Sequence, residues 1–484
     1  MKTKKTFILA LVLLMTFLIG CSIVYNKIRV SNKSRPNVVL ISIDTLRADH
    51  LSCYGYTRKT SPNIDELAQQ GTIFLNTFSQ SPKTAPSHMT IMTSLYPDVH
   101  GVMNWGKKPT KRLDDSIPTI AEVLKNLGYT TIAFTGGGNV HPHFGFDKGF
   151  DIYSFTKKYS VSGKYYGVID EAISWINDNY KKEFFLFFHT YVVHDPYLPP
   201  PPYNRKYDPD YQGTIIDSVD KVKSRRSKGK SEVVHNIFWK SINKKDPRDI
   251  YFIEALYDGA ISYMDKQIVG PLLEKLRDVG IFNNTIIIFT SDHGEAFNEH
   301  DNFLHQDLYR ETLQVPLIIV YPKIVPQNAK IEQLVRLIDI MPTIFDILEI
   351  DVKMYMQGVS LLPAVNGNEL NLSCYSTYNS VKNLNYGSIR TKRYSYILGN
   401  PKNWSKNSYQ HLYDISKDPK EKLDIRKSKP EIVKKLTMTL SHMKTIYSKL
   451  NAHKSSKEVL PDEETREQLK ALGYIDVLER LSEC

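Results

Sequence analysis

Two uninterrupted apolar runs dominate the hydropathy pattern, Asn37–Asp44 (NVVLISID) and Thr285–Glu295 (TIIIFTSDHGE). Both carry β-branched residues and end abruptly in carboxylate or imidazole side chains. Such runs suit strands buried on both faces of a mainly parallel sheet. Ligands in these sheets bind beyond the carboxyl ends of the strands. Asp44, Asp292 and His293 stand at those ends, so two segments far apart in sequence can converge on one cation.

Helix and strand patterns alternate around this pair. Ser61-Pro62 opens a helix, with serine as cap and proline at the first position, and Ile73–Phe78 reads as a short strand. Ser116–Gly128 has helical periodicity and a terminating glycine; Tyr129–Phe134 is a strand, followed by the glycine cluster Gly136–Gly138. Ile169–Tyr180 and then Phe184–His189 repeat helix and strand. Tyr251–Val279 predicts one long amphipathic helix, and Gln314–Val320 another buried strand. This alternation predicts a doubly wound α/β sheet. Beyond Gly358, the short strands Leu372–Tyr378, Tyr386–Thr391 and Tyr394–Leu398 predict a smaller antiparallel sheet, and Pro430–Leu450 a basic helix. The expected organisation is an N-terminal anchor at 1–26, a main domain at 35–365 with a charged insertion at 217–246, and a C-terminal subdomain with a helical tail at 366–484.

Composition narrows the class. In 484 residues, 63 Lys and Arg against 52 Asp and Glu give a net charge of +11, much of it at Met1–Lys5, Lys221–Lys230 and Lys420–Lys457. No basic module interleaved with aromatics accompanies it, which argues against nucleic acid as a partner and leaves anionic lipid or cell-wall polymer. Cys21, Cys53, Cys374 and Cys484 show no paired spacing, so no structural disulfide is expected. Met1-Lys-Thr-Lys-Lys5 followed by Phe7–Ile19 reads as an export signal. Leu18-Ile19-Gly20-Cys21 is similar to a bacterial lipobox, while the apolar run through Ile23–Tyr25 also fits an uncleaved single helix. Both readings put the protein in a bacterial cell envelope, tethered to a membrane.

A third segment carries chemistry, Ser81-Pro-Lys-Thr84-Ala-Pro-Ser-His88. Thr84 precedes a helix expected to begin near Pro86, so its hydroxyl would lie at a positive helix end. Beside a divalent cation, such a hydroxyl can be deprotonated for attack on phosphorus or sulfur. An ordinary helix cap is the other reading of the same residue.

Six motifs in order, Asn37–Asp49, Leu51–Tyr56, Thr84–His88, Tyr96–Val102, Ser291–Glu295 and Leu412–Pro419, resemble the sulfatases of the alkaline phosphatase superfamily from about Arg35 to Gly473, with a family-like tail at Arg466–Tyr474. The resemblance implies an α/β/α sandwich with a mainly parallel central sheet and a smaller C-terminal antiparallel sheet. It also implies one divalent metal ion, calcium or magnesium, held by Asp44, Asp292 and His293 beside the nucleophile Thr84. Mixed oxygen and imidazole ligation also suits zinc or manganese. The family's second aspartate is replaced by Thr45, and Asp258 is followed one turn later by Ser262 rather than histidine, which favours one metal over two.

Typical sulfatases carry Cys-x-Pro-x-Arg, with the cysteine converted to formylglycine; here the positions read Thr84-Ala-Pro-Ser-His88. Threonine cannot be converted. A threonine nucleophile resembles the phosphotransferase branches of the superfamily and the phosphodiesterases that form a phospho-threonine. By resemblance His194 binds substrate, and His305 faces the leaving group near the family-like Glu299-His300. His88 and His100 are placed to orient Thr84 or the bound anion, with His141 and His143 as weaker candidates. Three functions follow. The first is a metal-dependent hydrolase of sulfate or phosphate esters, with a glycan or lipid headgroup as the anionic substrate. The second is a transferase of phospho-groups at the cell surface, and the third a surface binding protein that has lost catalysis.

Overall fold

Side chains along Asn37–Ile43 alternate between two hydrophobic cores: Val38 and Leu40 enter one, Val39, Ile41 and Ile43 the other. A strand that must satisfy both cores is apolar throughout, which is why the sequence shows a run rather than an alternation. The computed structural model describes residues 35–103, 110–156, 167–215, 237–379, 385–400, 409–452 and 458–459. The expected anchor at 1–26 with Cys21, most of the insertion and the motif Arg466–Tyr474 lie outside the described residues. Among the described residues, no helix is long and apolar enough to cross a membrane.

The main sheet contains β1 (Asn37–Ile43), β2 (Thr72–Phe78), β3 (Thr130–Thr135), β4 (Ile152–Phe155), β5 (Phe184–Thr190), β6 (Thr285–Thr290), β7 (Gln314–Val315), β8 (Leu317–Val320) and β9 (Ala329–Arg336). Its centre is parallel, in the order β6-β1-β5-β3-β4. β8 then runs antiparallel to both β6 and β2, and β9 runs parallel to β2. The expected strand Gln314–Val320 is split in two because Pro316 has no N–H to give to the ladder.

Helices cover both faces. On one lie α1 (Thr84–Thr93), α2 (Ile120–Asn126) and α3 (Ile340–Ile347); on the other, Pro62–Gln69, Gly167–Asn179 and Pro247–Met264. The architecture is the expected α/β/α sandwich. Ile120–Asn126 is shorter than the pattern predicted, because Thr119 caps it in a reciprocal box with Glu122. The expected helix Tyr251–Val279 runs from Pro247 to Asp278, but a π turn at Asp265–Val269 interrupts it. There the buried Asp265 carboxylate accepts the N–H groups of Asn63 and Ile64 and so caps the helix that starts at Pro62.

The C-terminal sheet has four antiparallel strands, Cys374–Asn379, Asn385–Arg390, Tyr394–Asn400 and Gln410–Asp414. It shares a core with α1: Tyr375, Tyr396, Leu412 and, from the tail helix Pro430–Ala452, Leu440 join the cluster of Met89 and Met92. Thr377 N donates to Gln80 O at 2.9 Å, and Ser376 Oγ to Ser79 O at 2.6 Å. The smaller sheet thus braces the turn that delivers Thr84. Cys53 and Cys374 are free thiols; Cys21 and Cys484 lie outside the described residues.

Candidate active site

Strand register brings the site together. Ser42 of β1 lies opposite His189 on one neighbour and Thr290 on the other, so the residues just beyond all three strands meet. Asp44, Asp292 and His293 converge there, fully buried, with one ligand atom from each within 4.8 Å of the others. Asp44 Oδ1 and Asp292 Oδ2 have no hydrogen-bond partner. His293 Nδ1 donates to Gly294 O at 3.0 Å, which leaves a lone pair on Nε2, 3.3 Å from Asp292 Oδ2. Two acceptors facing each other in a buried space repel, and a cation between them removes the repulsion. The donor set therefore fits one divalent ion.

The electrostatics agree. Burial pushes the Asp292 carboxyl well above the ordinary range, and the charge of Asp44 adds to the shift. Burial also acts to raise Asp44, but the His189 hydrogen bond and the nearby His194 and His293 outweigh it, and Asp44 stays ionised. Burial brings His293 down to about 4, so its ring is neutral and able to ligate. Thr45, at the family's second aspartate position, commits its hydroxyl to Asp44 O at 2.7 Å, and its N–H donates to Asp292 Oδ1 at 3.2 Å. Asp258 is fully engaged elsewhere by His50, Tyr56 and Arg58, at 2.7, 2.7 and 2.6 Å. That leaves one cluster for one ion among the described residues.

Thr84 is the first residue of α1, not a cap ahead of it; Lys83 holds the cap position. Pro86 falls in the first turn, where a missing N–H breaks no intrahelical bond, so the helix starts earlier than the proline suggested. Thr84 Oγ1, fully buried, lies 3.5 Å from His293 Nε2. His88, one turn on, donates from Nδ1 to Thr84 O at 3.0 Å and pairs through Nε2 with Ser42 Oγ at 2.8 Å. His194 and His305 meet edge to face, with ring centroids 5.4 Å apart, and the His305 ring lies 4.4 Å from that of His293. At the described end of the insertion, Trp239 Nε1 donates to Asp195 Oδ2 at 2.9 Å, beside His194.

His100, expected to orient Thr84 or the anion, has its Nε2 3.2 Å from both Pro86 O and Thr90 Oγ1, and its Nδ1 accepts from Val102 N. Through these contacts it braces α1 from the turn that follows Tyr96. His300 stacks on Tyr309, with ring centroids 3.7 Å apart.

A sulfatase family model matches residues 36–350, and a model described as N-sulphoglucosamine sulphohydrolase, C-terminal, matches 298–446. The chain belongs to the sulfatase family. Arylsulfatase K of Rattus norvegicus is 26% identical over 463 residues, covering 87% of this chain and 80% of the relative. Two solved structures share the fold. One, in complex with its substrate D-glucosamine-2-N,6-O-disulfate, has a TM-score of 0.70 at 20% identity, covering 86% of this chain and 99% of that one. The phosphonate monoester hydrolase of Agrobacterium radiobacter has a TM-score of 0.66 at 21% identity, with coverage of 85% and 96%.

Three residues of this sulfatase-family site carry no assigned role in the sequence reading. His189 accepts from Gly136 N at 3.3 Å and turns Nε2 toward Asp44 Oδ2 at 3.5 Å. Its place at the end of a strand paired with β1 was the available signal. Lys83 is partly buried beside Thr84; burial brings its ammonium down to about 8, against the pull of Glu295, Asp195, Asp307 and Asp44. Glu295 is buried in contact with His305.

Proposed function

We propose that this protein hydrolyses an anionic phosphate, phosphonate or sulfate ester through Thr84. The observation that carries the reading is a buried hydroxyl at the head of a ten-residue helix, 3.5 Å from one of three converging metal-ligand side chains. The helix end favours negative charge developing on Thr84 Oγ1. His88 holds the Thr84 carbonyl and keeps the hydroxyl facing the three donors. A divalent cation held by Asp44, Asp292 and His293, with Thr84 beside it, would supply charge neutralisation and lower the hydroxyl's pKa; an imidazole among the donors suits manganese or zinc as well as calcium or magnesium. With its proton passed to solvent, Thr84 Oγ1 attacks phosphorus or sulfur, the bond to the leaving oxygen breaks, and His194 or His305 gives that oxygen a proton. Water then attacks the same centre, its bond to Thr84 Oγ1 breaks, and the hydroxyl regains a proton. Export and tethering through residues 1–26 complete the proposal, on the basis of the lysine-rich start and the apolar run.

The test compares wild type and Thr84→Ala, each with calcium, magnesium, manganese or zinc, on aryl sulfate, phosphate monoester, phosphodiester and phosphonate monoester. Turnover of at least one ester, lost in the variant, is expected. Full turnover by Thr84→Ala contradicts the proposal. Recovery of an alcohol adduct instead of the hydrolysis product would make the protein a transferase.

A further inference from the structure

We propose that Glu295 is a positioning residue: through Oε1 it anchors Nδ1 of His305 and thereby fixes the opposite ring nitrogen toward the leaving oxygen of the ester. The inference rests on the hydrolase reading for the identity of that oxygen, but the anchoring itself is geometry. Glu295 Oε1 lies 3.0 Å from His305 Nδ1, with Glu295 0% and His305 3% exposed. With Nδ1 occupied, the His305 ring can present only Nε2 to the site, and its ring stands against His293 at 4.4 Å and His194 at 5.4 Å. An acceptor oxygen on one imidazole nitrogen sets the tautomer and orientation of the ring.

The surrounding backbone leaves this pair little room to be incidental. Gly294 N donates to Thr312 O at 2.9 Å and Glu295 N to Glu311 O at 3.0 Å, while Arg47 donates to Glu295 O at 2.9 Å. A Cβ at Gly294 would stand 2.1 Å from Glu311 O, so glycine is required for this approach. Between Glu295 and His305 the chain makes a small hairpin in which Asn298, His300, Asp301 and Leu304 all have positive φ, at 78, 52, 59 and 67°. Left-handed leucine is disfavoured, and it sits directly before His305. The Glu295 carboxyl is kept at zero exposure, where an unsatisfied polar group is costly, and His305 Nδ1 is the partner that satisfies its Oε1.

The experiment uses the full chain with its preferred divalent ion, and the variants Glu295→Ala, Glu295→Gln, His305→Ala and the double alanine. Rates are measured on aryl esters of graded leaving-group pKa. The expected result for Glu295→Ala is a kcat loss of about 100-fold on the poorest leaving groups, within the range seen for outer-shell partners and proton donors. The loss should be only a few-fold on nitrophenyl esters, with KM and bound metal unchanged. Glu295→Gln, whose amide oxygen can still accept from Nδ1, should recover most of the rate, and the double variant should be no slower than His305→Ala alone. An equal loss on every leaving group, or additive losses in the double variant, overturns the inference. A readout independent of turnover is the ¹⁵N signature of the His305 ring, which must change in Glu295→Ala. An unchanged ring overturns the positioning role whatever the activity. A changed ring with no ester turned over by wild type leaves the anchoring standing and removes the hydrolase reading instead.

Discussion

Thr84 Oγ1 lies 3.5 Å from His293 Nε2, although the two residues are 209 apart in sequence. One comes from the start of a helix and the other from the end of a strand, and the contact unites the proposed nucleophile with the donor cluster. The consequences can be measured separately.

Cation binding should stabilise the native state, because Asp44 Oδ1 and Asp292 Oδ2 lack partners without it. At a free ion concentration 100 times Kd the gain is about 2.7 kcal/mol, and Asp292→Asn should abolish most of it. Burial and the charge of Asp44 raise the Asp292 carboxyl, so proton and ion compete and affinity should rise with pH. Identical melting temperatures with chelator and with each of the four ions would contradict this.

His88 and His100 should separate in kinetics. Removing the fully buried His88 leaves a cavity and strands Ser42 Oγ, so His88→Ala should lose about 2–4 kcal/mol of stability and more than about 100-fold in kcat. His100 braces the helix, so His100→Ala should cost about 1–2 kcal/mol with kcat/KM within about tenfold of wild type. Denaturant unfolding beside steady-state rates checks both. A selective collapse of kcat in His100→Ala would restore it to the reacting centre.

Asp265 gives a pH test away from the chemistry. Burial raises its carboxyl from 3.8 to about 6, despite the N–H groups it accepts from Asn63 and Ile64. A raised folded-state value means the native protein prefers the protonated form. The contribution is therefore fully present below pH 3.8 and is lost as pH rises through about 6, a swing of about 3 kcal/mol. Asp265→Asn cannot titrate. The stability of the variant relative to wild type should rise from pH 4 to pH 7; a constant difference would show that the shift is absent.

The layers and the donor cluster were legible because both depend on short-range signals. Strands buried on two faces must be apolar throughout, and Asp44, Asp292 and His293 interrupt those runs where parallel strands end. His189 escaped notice because it belongs to the site only through the register of β5 on β1, which no local pattern states. α1 starts two residues before Pro86, because proline is tolerated within the first turn and so does not mark the first helical residue. The strand Gln410–Asp414 carries no strand pattern: it is five residues long, with Leu412 and Tyr413 both buried, so it shows no alternation. The contact of Glu295 with His305 depends on a hairpin of left-handed residues, and periodicity carries no trace of that geometry.

The most direct measurement is the mass of the protein after rapid acid quench during turnover of an aryl phosphonate or sulfate ester. The expected result is a single added phospho- or sulfo-group mapped to Thr84, absent in Thr84→Ala and absent without a divalent ion. Turnover with no adduct in wild type, together with undiminished turnover by Thr84→Ala, would show that Thr84 is not the nucleophile.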